Sequence, residues 1–241
     1  MYNLTSFIIK VLNYFLGKGY GSISIQKEVH FVKKLNPEAK VFIDVGGNIG
    51  NYSQELLENF NVEELHIFEP SKKNYLILLE RFKDNQKVRI NNLALSHVSK
   101  KQKLFYDKEG SGMASLTKRN LNHLDLDFND FEMISTYRFD SYWETYDYPI
   151  DFMKIDVEGH EMDVLKSTGL ILNKIKIIQF EFGGCNIDTR TFFRDFYTFF
   201  SKNNFKIYRI SPFKLIQIEN YKEVDEFFVT TNFIAVNQHF I

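Results

Sequence analysis

Short apolar runs alternate with amphipathic segments along most of the chain. The apolar runs, rich in β-branched and aromatic residues, predict strands at 41–44, 65–68, 88–90, 103–106, 136–139, 150–155, 175–180, 205–210 and 227–236. Between them, apolar side chains recur at helical spacing, as Tyr75, Leu78 and Phe82 do on one predicted helix. This alternation predicts a single α/β domain with a mostly parallel sheet and helices on both faces.

The N-terminal segment has its own apolar pattern. Residues between Leu4 and Leu16 repeat at helical spacing, but the segment is too short to span a bilayer and lacks the basic region of a signal peptide. We therefore expect a helical extension over residues 1–36 and a domain over residues 37–241. The helix is expected to pack on the domain or on a second copy in a homo-oligomer, with peripheral membrane contact as the alternative.

Charge and cysteine content restrict the function classes. The chain has 30 basic and 31 acidic residues without a basic block, so a nucleic-acid partner has no electrostatic support. Cys185 is the only cysteine, which excludes an intramolecular disulfide and a four-thiolate zinc site. A chain without disulfides fits a reducing compartment, and we expect a cytoplasmic protein.

Acidic residues follow four of the predicted strands. Asp44, Glu69, Asp156 and Glu181 each stand at or just after the end of a strand. In open α/β sheets, ligands bind beyond the carboxyl ends of the strands, so these acids are candidate site residues. Any one of them could instead cap a helix or lie in a solvated loop.

The first of these acids begins a glycine-rich turn, Asp44-x-Gly46-x-Asn48-x-Gly50. The spacing differs from the Gly-x-Gly-x-x-Gly fingerprint of dinucleotide-binding proteins. A negative charge beside the turn disfavours a pyrophosphate and favours a ligand that carries an ammonium or sulfonium group. Glu69 is placed to accept both hydroxyls of a ribose from the end of the next strand.

Three motifs together resemble the FkbM family of S-adenosylmethionine-dependent methyltransferases. They are Phe42–Gly50, Phe68–Pro70 and Met153–Glu161, and the similarity covers about residues 40–236. The resemblance implies the class I methyltransferase (Rossmann-like) fold, with a seven-stranded sheet whose last strand is antiparallel, and O-methylation of sugars or natural products. The common family form has alanine in place of Gly47, a change we expect only to add flexibility.

The resemblance also assigns roles to individual residues. The methionine part of the cofactor would be lined by Asp44, Gly46, Asn48 and Gly50. Glu69 would hold the ribose, Ala94 would lie near the adenine, and Asp156 would face the methionine ammonium or the acceptor. Residues 154–161 would edge the acceptor pocket. The long polar connection 107–130 is expected to vary with the acceptor through Ser111, Ser115, Lys118, Arg119 and His123.

A hydroxyl acceptor must lose its proton, which requires a general base or a metal. Glu158 and His160 are the candidate bases, and histidine is the better base near neutral pH. Alternatively, Glu158 could cap the next helix and His160 could be a surface residue. A divalent metal held by Asp156 and Glu181, with Asn186 nearby, is compatible with oxygen ligands but is not our main expectation.

The sequence thus predicts an S-adenosylmethionine-dependent O-methyltransferase acting on a sugar, glycan or other small hydroxylated acceptor. One alternative is a nucleotide-dependent oxidoreductase on a similar sheet, which the turn spacing and Asp44 disfavour. The other is a non-catalytic domain that keeps the cofactor pocket only to bind a partner.

Overall fold

The fold is that of a computed structural model, which describes residues 2–20 and 24–240. The α-helices are α1 (Tyr2–Phe15), α2 (Ile25–Leu35), α3 (Asn51–Asn59), α4 (Lys72–Arg81), α5 (Phe139–Trp143), α6 (Glu161–Ser167), α7 (Cys185–Thr189) and α8 (Phe193–Lys202). The strands are β1 (Val41–Val45), β2 (Glu64–Phe68), β3 (Val88–Asn91), β4 (Ala94–Leu95), β5 (Lys100–Tyr106), β6 (Asp130–Tyr137), β7 (Ile150–Ile155), β8 (Ile175–Phe182), β9 (Phe205–Ile210), β10 (Leu215–Ile218) and β11 (Thr231–Asn237).

The main sheet contains eight described strands in the order β10-β9-β11-β8-β7-β1-β2-β3. Strands β3, β2, β1, β7 and β8 pair in parallel, whereas β11 is antiparallel to both β8 and β9. The predicted class I architecture with an antiparallel last strand is confirmed. The eighth strand, β10, was not predicted; it folds back on β9 as an antiparallel edge strand.

Helices cover both faces of the sheet, as predicted. Helices α2, α3 and α4 pack on one face, where the core includes Phe42, Leu65 and Phe152. Helices α5, α6 and α8 pack on the other, where the core includes Ile43 and Met153. Neighbouring residues of one strand enter opposite cores because side chains alternate across a sheet. Burial of both faces explains why these strands are almost continuously apolar.

A second, three-stranded sheet of order β4-β6-β5 lies beside the main one. The prediction of an extended piece at 136–139 was partly wrong, because β6 ends at Tyr137 and Phe139 begins α5. The connection 107–129 between β5 and β6 is mostly irregular. A bridge between Phe105 and Ser115 fixes its first half.

The two N-terminal helices differ in how deeply their side chains are buried. No side chain of α1 from Leu4 to Phe15 is buried, although Phe15 stacks on Phe213 of the domain. Packing of this helix on a second copy or on a membrane stays a prediction. Helix α2 instead enters the core, with Val29 and Val32 fully buried. Residues 1 and 21–23 of the predicted extension 1–36, and residue 241, lie outside the described residues, and the division at 36/37 stays a prediction. Among the described helices, none has the length and apolarity needed to cross a membrane.

Candidate active site

Two adjoining cavities open at the carboxyl ends of the parallel strands. The smaller has a volume of about 60 Å³ and the larger about 770 Å³. Four residues line both of them: Gly46, Asn48, Asp156 and Glu158. The turn after β1 and the turn after β7 therefore form the boundary between the two spaces.

The turn after β1 requires glycine for steric reasons. Gly46 has φ +83°, and a Cβ at this position would lie 1.8 Å from the carbonyl oxygen of Asp156. Asn48 also has a positive φ of 48°, which asparagine tolerates better than most residues. A Cβ on Gly47 would lie 2.2 Å from Cγ2 of the buried Ile67. The expectation that Gly47 only adds flexibility was wrong, because glycine here makes room for Ile67.

The smaller cavity is a largely apolar slot, and Glu69 is the buried carboxylate within it. Glu69 is 5% exposed and accepts hydrogen bonds from the backbone N–H groups of Asn48 and Ser71, both at 2.8 Å. Burial raises its pKa to about 7. It is surrounded by the apolar side chains of Phe68, Ala94, Leu95, Leu104, Ala114 and Leu116.

These residues fit the adenosine part of S-adenosylmethionine. The apolar walls of the slot suit the flat adenine ring, and Glu69 can accept hydrogen bonds from the ribose hydroxyls. Beside it, Ser71 Oγ and Asn74 Oδ1 are buried and have no hydrogen-bond partner among the described residues. Buried polar atoms are normally satisfied, so these two atoms favour a polar ligand in the slot.

Two of the predicted cofactor residues, Asp44 and Gly50, line neither cavity. The Asp44 carboxylate is fully buried; it accepts a hydrogen bond from Ser53 Oγ at 2.6 Å and lies 3.7 Å from Lys154 Nζ. Gly50 has φ +84°, and a Cβ there would lie 2.8 Å from Leu78 Cδ2. In this structure both residues shape the turn; direct contact with the cofactor stays a prediction.

A row of buried polar side chains crosses the sheet, and Lys154, Glu181 and Asn232 of this row line the larger cavity. Strand register places Asp44, Lys154 and Gln179 on adjacent strands, and Glu181 opposite Asn232. The Lys154 ammonium lies 3.2 Å from the Asp156 carboxylate. Burial lowers the pKa of Lys154, but the charges of Asp156 and Asp44 outweigh this effect and raise it. Lys154 is therefore a fixed positive charge beneath the boundary of the cavities.

Glu158 is held at this boundary by an arginine from the long connection. Arg119 Nη1 donates to Glu158 Oε2 at 2.6 Å, and Arg119 Nε donates to Asp188 Oδ2 at 3.3 Å. Burial and the nearby Asp156 charge raise the pKa of Glu158 to about 8, against the opposing effect of Arg119. Glu158 therefore combines a position on both cavities with a pKa suited to proton transfer near neutral pH.

His160, the other candidate base, lies in a different environment. Its Nδ1 is 2.8 Å from Asp163 Oδ2 and its Nε2 is 3.0 Å from Thr117 Oγ1, so both ring nitrogens have partners. Its side chain lines the smaller cavity and an outer groove, but it is absent from the described lining of the larger cavity. The geometry favours Glu158, and the role of His160 stays a prediction.

The side chains that lie close enough to share a metal differ from the expected set of Asp156, Glu181 and Asn186. Asn186 Oδ1 accepts the Gly183 N–H at 2.8 Å, and the fully buried Asn186 is not part of the described cavity lining. The group with ligand atoms within 4.8 Å of one another is instead Glu158, Glu181 and Cys185. Because Glu158 already pairs with Arg119, we assign no metal to this group.

The long connection supplies residues to both cavities. Ser111 lines the smaller cavity, whereas Arg119 and His123 line the larger one. Ser115 lines neither; its Oγ donates to the Glu158 carbonyl at 2.8 Å and so supports the site from behind. Lys118 points to Asn129 Oδ1 at 2.6 Å, outside both cavities.

Sequence reasoning missed several lining residues of the larger cavity, among them the buried acid Glu28. Glu28 on α2 is 3% exposed, lines the larger cavity, and accepts a hydrogen bond from Gln179 Nε2 at 2.6 Å. Its signal was present in the sequence, because Glu28 interrupts the apolar stripe that Ile25, Val29 and Val32 form. An acid within such a stripe indicates a buried polar contact.

Comparison with known proteins agrees with this geometry. The family model described as the methyltransferase FkbM domain matches residues 44–207. Among solved structures, SMU.1697c from Streptococcus mutans in complex with S-adenosylhomocysteine is similar at 9% identity, TM-score 0.50, over 89% of this chain and 98% of that chain. An rRNA methylase from Streptococcus thermophilus is similar at 10% identity, TM-score 0.47, over 87% and 93% of the two chains. No curated protein sequence gives a significant match.

The fold and the paired cavities define a class I S-adenosylmethionine-dependent methyltransferase. Because the family model covers more than half of its length, the chain belongs to the FkbM methyltransferase family. The low-identity structural neighbours show the fold alone. Family membership excludes the oxidoreductase alternative.

Proposed function

We propose that this methyltransferase methylates a hydroxyl group of a small hydroxylated acceptor, such as a sugar or glycan, with Glu158 as general base. The proposal rests on the position of Glu158, whose side chain lines both the cofactor slot and the larger cavity. A base must lie at this boundary to take a proton from a hydroxyl that faces the methyl donor.

The larger cavity supports a small acceptor. Its volume of about 770 Å³ lies within the range of small-molecule sites, roughly 300–1,000 Å³. Its lining combines carboxylates and amides, which hydrogen-bond hydroxyl groups, with the aromatic side chains of Tyr52 and Phe228. No basic patch favours nucleic acid, and the single buried cysteine supports a cytoplasmic location.

The residues of the chain prepare the acceptor for transfer. When bound, S-adenosylmethionine supplies an electrophilic methyl group, whose bond to sulfur breaks as the bond to the acceptor oxygen forms. Glu158 accepts the hydroxyl proton, and Arg119 holds its carboxylate in place. Lys154 fixes Asp156 at the boundary. Much of the rate enhancement then comes from holding the acceptor oxygen in line with the methyl group.

The experiment is a screen of free sugars, nucleotide sugars and glycans with methyl-labelled S-adenosylmethionine. We expect labelled O-methyl product from at least one hydroxylated acceptor, and a loss of about 10²–10⁴-fold in kcat for Glu158→Gln. Exposed Glu80→Gln is the matched control. Tight S-adenosylhomocysteine binding without turnover across the panel would contradict the proposal and favour a non-catalytic cofactor-binding domain.

A further inference from the structure

Glu181 is a buried carboxylate that faces the larger cavity without a hydrogen-bond or ion-pair partner among the described residues. The residue is 8% exposed and stands near the end of β8, and it lines the larger cavity together with Asp156, which follows β7. Among residues 2–20 and 24–240, none donates a hydrogen bond to its carboxylate or forms an ion pair with it. Burial, followed by the charges of Asp156 and Glu158, raises its pKa well above the usual value. A charged group is costly to bury in this way unless something pairs with it.

The cations of the cavity are already paired with other acids. Lys154 lies within 3.7 Å of Asp44 and 3.2 Å of Asp156, and Arg119 contacts Glu158 and Asp188. Apart from His123, these are the basic side chains in the described lining. The cavity therefore offers no uncommitted Lys or Arg to an anionic acceptor, while Glu181 is left unpaired.

A second buried carboxylate faces the larger cavity. Glu28 reaches the same cavity from α2 and is hydrogen-bonded by the side-chain amides of Gln179 and Asn232. Asn232 is also the strand partner of Glu181, so it connects the two acids. Neither carboxylate forms an ion pair with a described residue. We call this surface, formed by Glu28, Glu181 and Asn232, the acidic floor.

We propose that the acceptor carries a protonated amine in addition to the methylated hydroxyl, and that Glu181 and Glu28 of the acidic floor bind this ammonium group. The inference rests on the proposed O-methyl transfer and names its substrate class as hydroxylated amines, such as amino sugars. A protonated amine has no lone pair, so it anchors the acceptor and leaves a hydroxyl as the group to be methylated. The acidic floor disfavours phosphorylated acceptors, because the described lining holds no free Lys or Arg to compensate them.

The test is calorimetric binding of glucosamine, galactosamine and 2-deoxystreptamine to the full chain saturated with S-adenosylhomocysteine. Each amine is compared with its N-acetyl derivative near neutral pH, where the amine is largely protonated, and with EDTA present. We expect at least one amine to bind about 10-fold or more tightly than its N-acetyl derivative, since charge-assisted hydrogen bonds are the strong ones. Glu181→Gln should remove this preference, and Glu80→Gln should keep it.

Each other outcome has a defined meaning. Absence of any preference for the amine across the panel, including absence of binding, would overturn the inference. So would a preference that survives in Glu181→Gln while the variant keeps its melting temperature. Stoichiometric Mn²⁺ binding that Glu181→Gln abolishes would assign the acidic floor to a metal instead. Failure of the proposed O-methyl transfer would be distinguishable from these outcomes. In the screen with methyl-labelled S-adenosylmethionine, it would appear as label on nitrogen, or as no turnover although the preference for amines is intact.

Discussion

Glu69 carries the clearest single-residue prediction for the cofactor. Its carboxylate is buried in the smaller cavity and is fixed by two backbone N–H groups at 2.8 Å. We expect Glu69→Ala to weaken S-adenosylhomocysteine binding about 10-fold or more, because a charge-assisted hydrogen bond contributes ~1.5–3 kcal/mol. Calorimetry measures the affinity, and Glu80→Ala, an exposed site on α4, is the control. Unchanged affinity in a folded Glu69→Ala protein would remove Glu69 from the site.

Glu158 predicts the pH dependence of the reaction. A general base acts only when deprotonated, and burial raises the pKa of Glu158 to about 8. The value of kcat/KM should therefore increase about tenfold per pH unit below this pKa and level off above it. His160→Ala should keep the same profile, because His160 contacts Asp163 and Thr117. A profile that loses its rise in His160→Ala, but not in Glu158→Gln, would identify His160 as the base.

At the scale of elements, the turn between β1 and α3 depends on the strand next to it. A Cβ at Gly47 would lie 2.2 Å from Cγ2 of Ile67, which is fully buried on β2. We expect Gly47→Ala to destabilise the protein by about 1–3 kcal/mol, as overpacking does in cores. Gly47→Ala combined with Ile67→Val keeps the same branch methyl, whereas Gly47→Ala with Ile67→Ala removes it. Urea unfolding should show that Gly47→Ala costs less stability in the Ile67→Ala background than in the Ile67→Val background. An equal cost in both backgrounds would contradict the steric account.

Local sequence patterns predicted those strands whose apolar runs are long enough to recognise without knowledge of the neighbouring strands. The bounds of β7 and β9 match the prediction, because each is an apolar run. The edge strand β10 was missed because its four residues carry too short a pattern, and pairing with β9 defines it. In the site, the motifs identified Glu158, but its partner Arg119 lies 39 residues away and is brought close only by the fold. Glu28 was missed for the same reason, since its contacts with Gln179 span 151 residues.

For the whole molecule, the structure predicts that α2 contributes to stability and α1 does not. Val29 on α2 is fully buried, whereas Val11 on α1 is 37% exposed. We expect Val29→Ala to lower the free energy of unfolding by about 2 kcal/mol, from lost apolar burial and the cavity left behind. Val11→Ala, the same chemical change on a helix, should stay within about 0.5 kcal/mol. Urea unfolding of the two variants measures both values. An equal loss from Val11→Ala would show that α1 is covered in solution, as contact with a second copy of the chain would require.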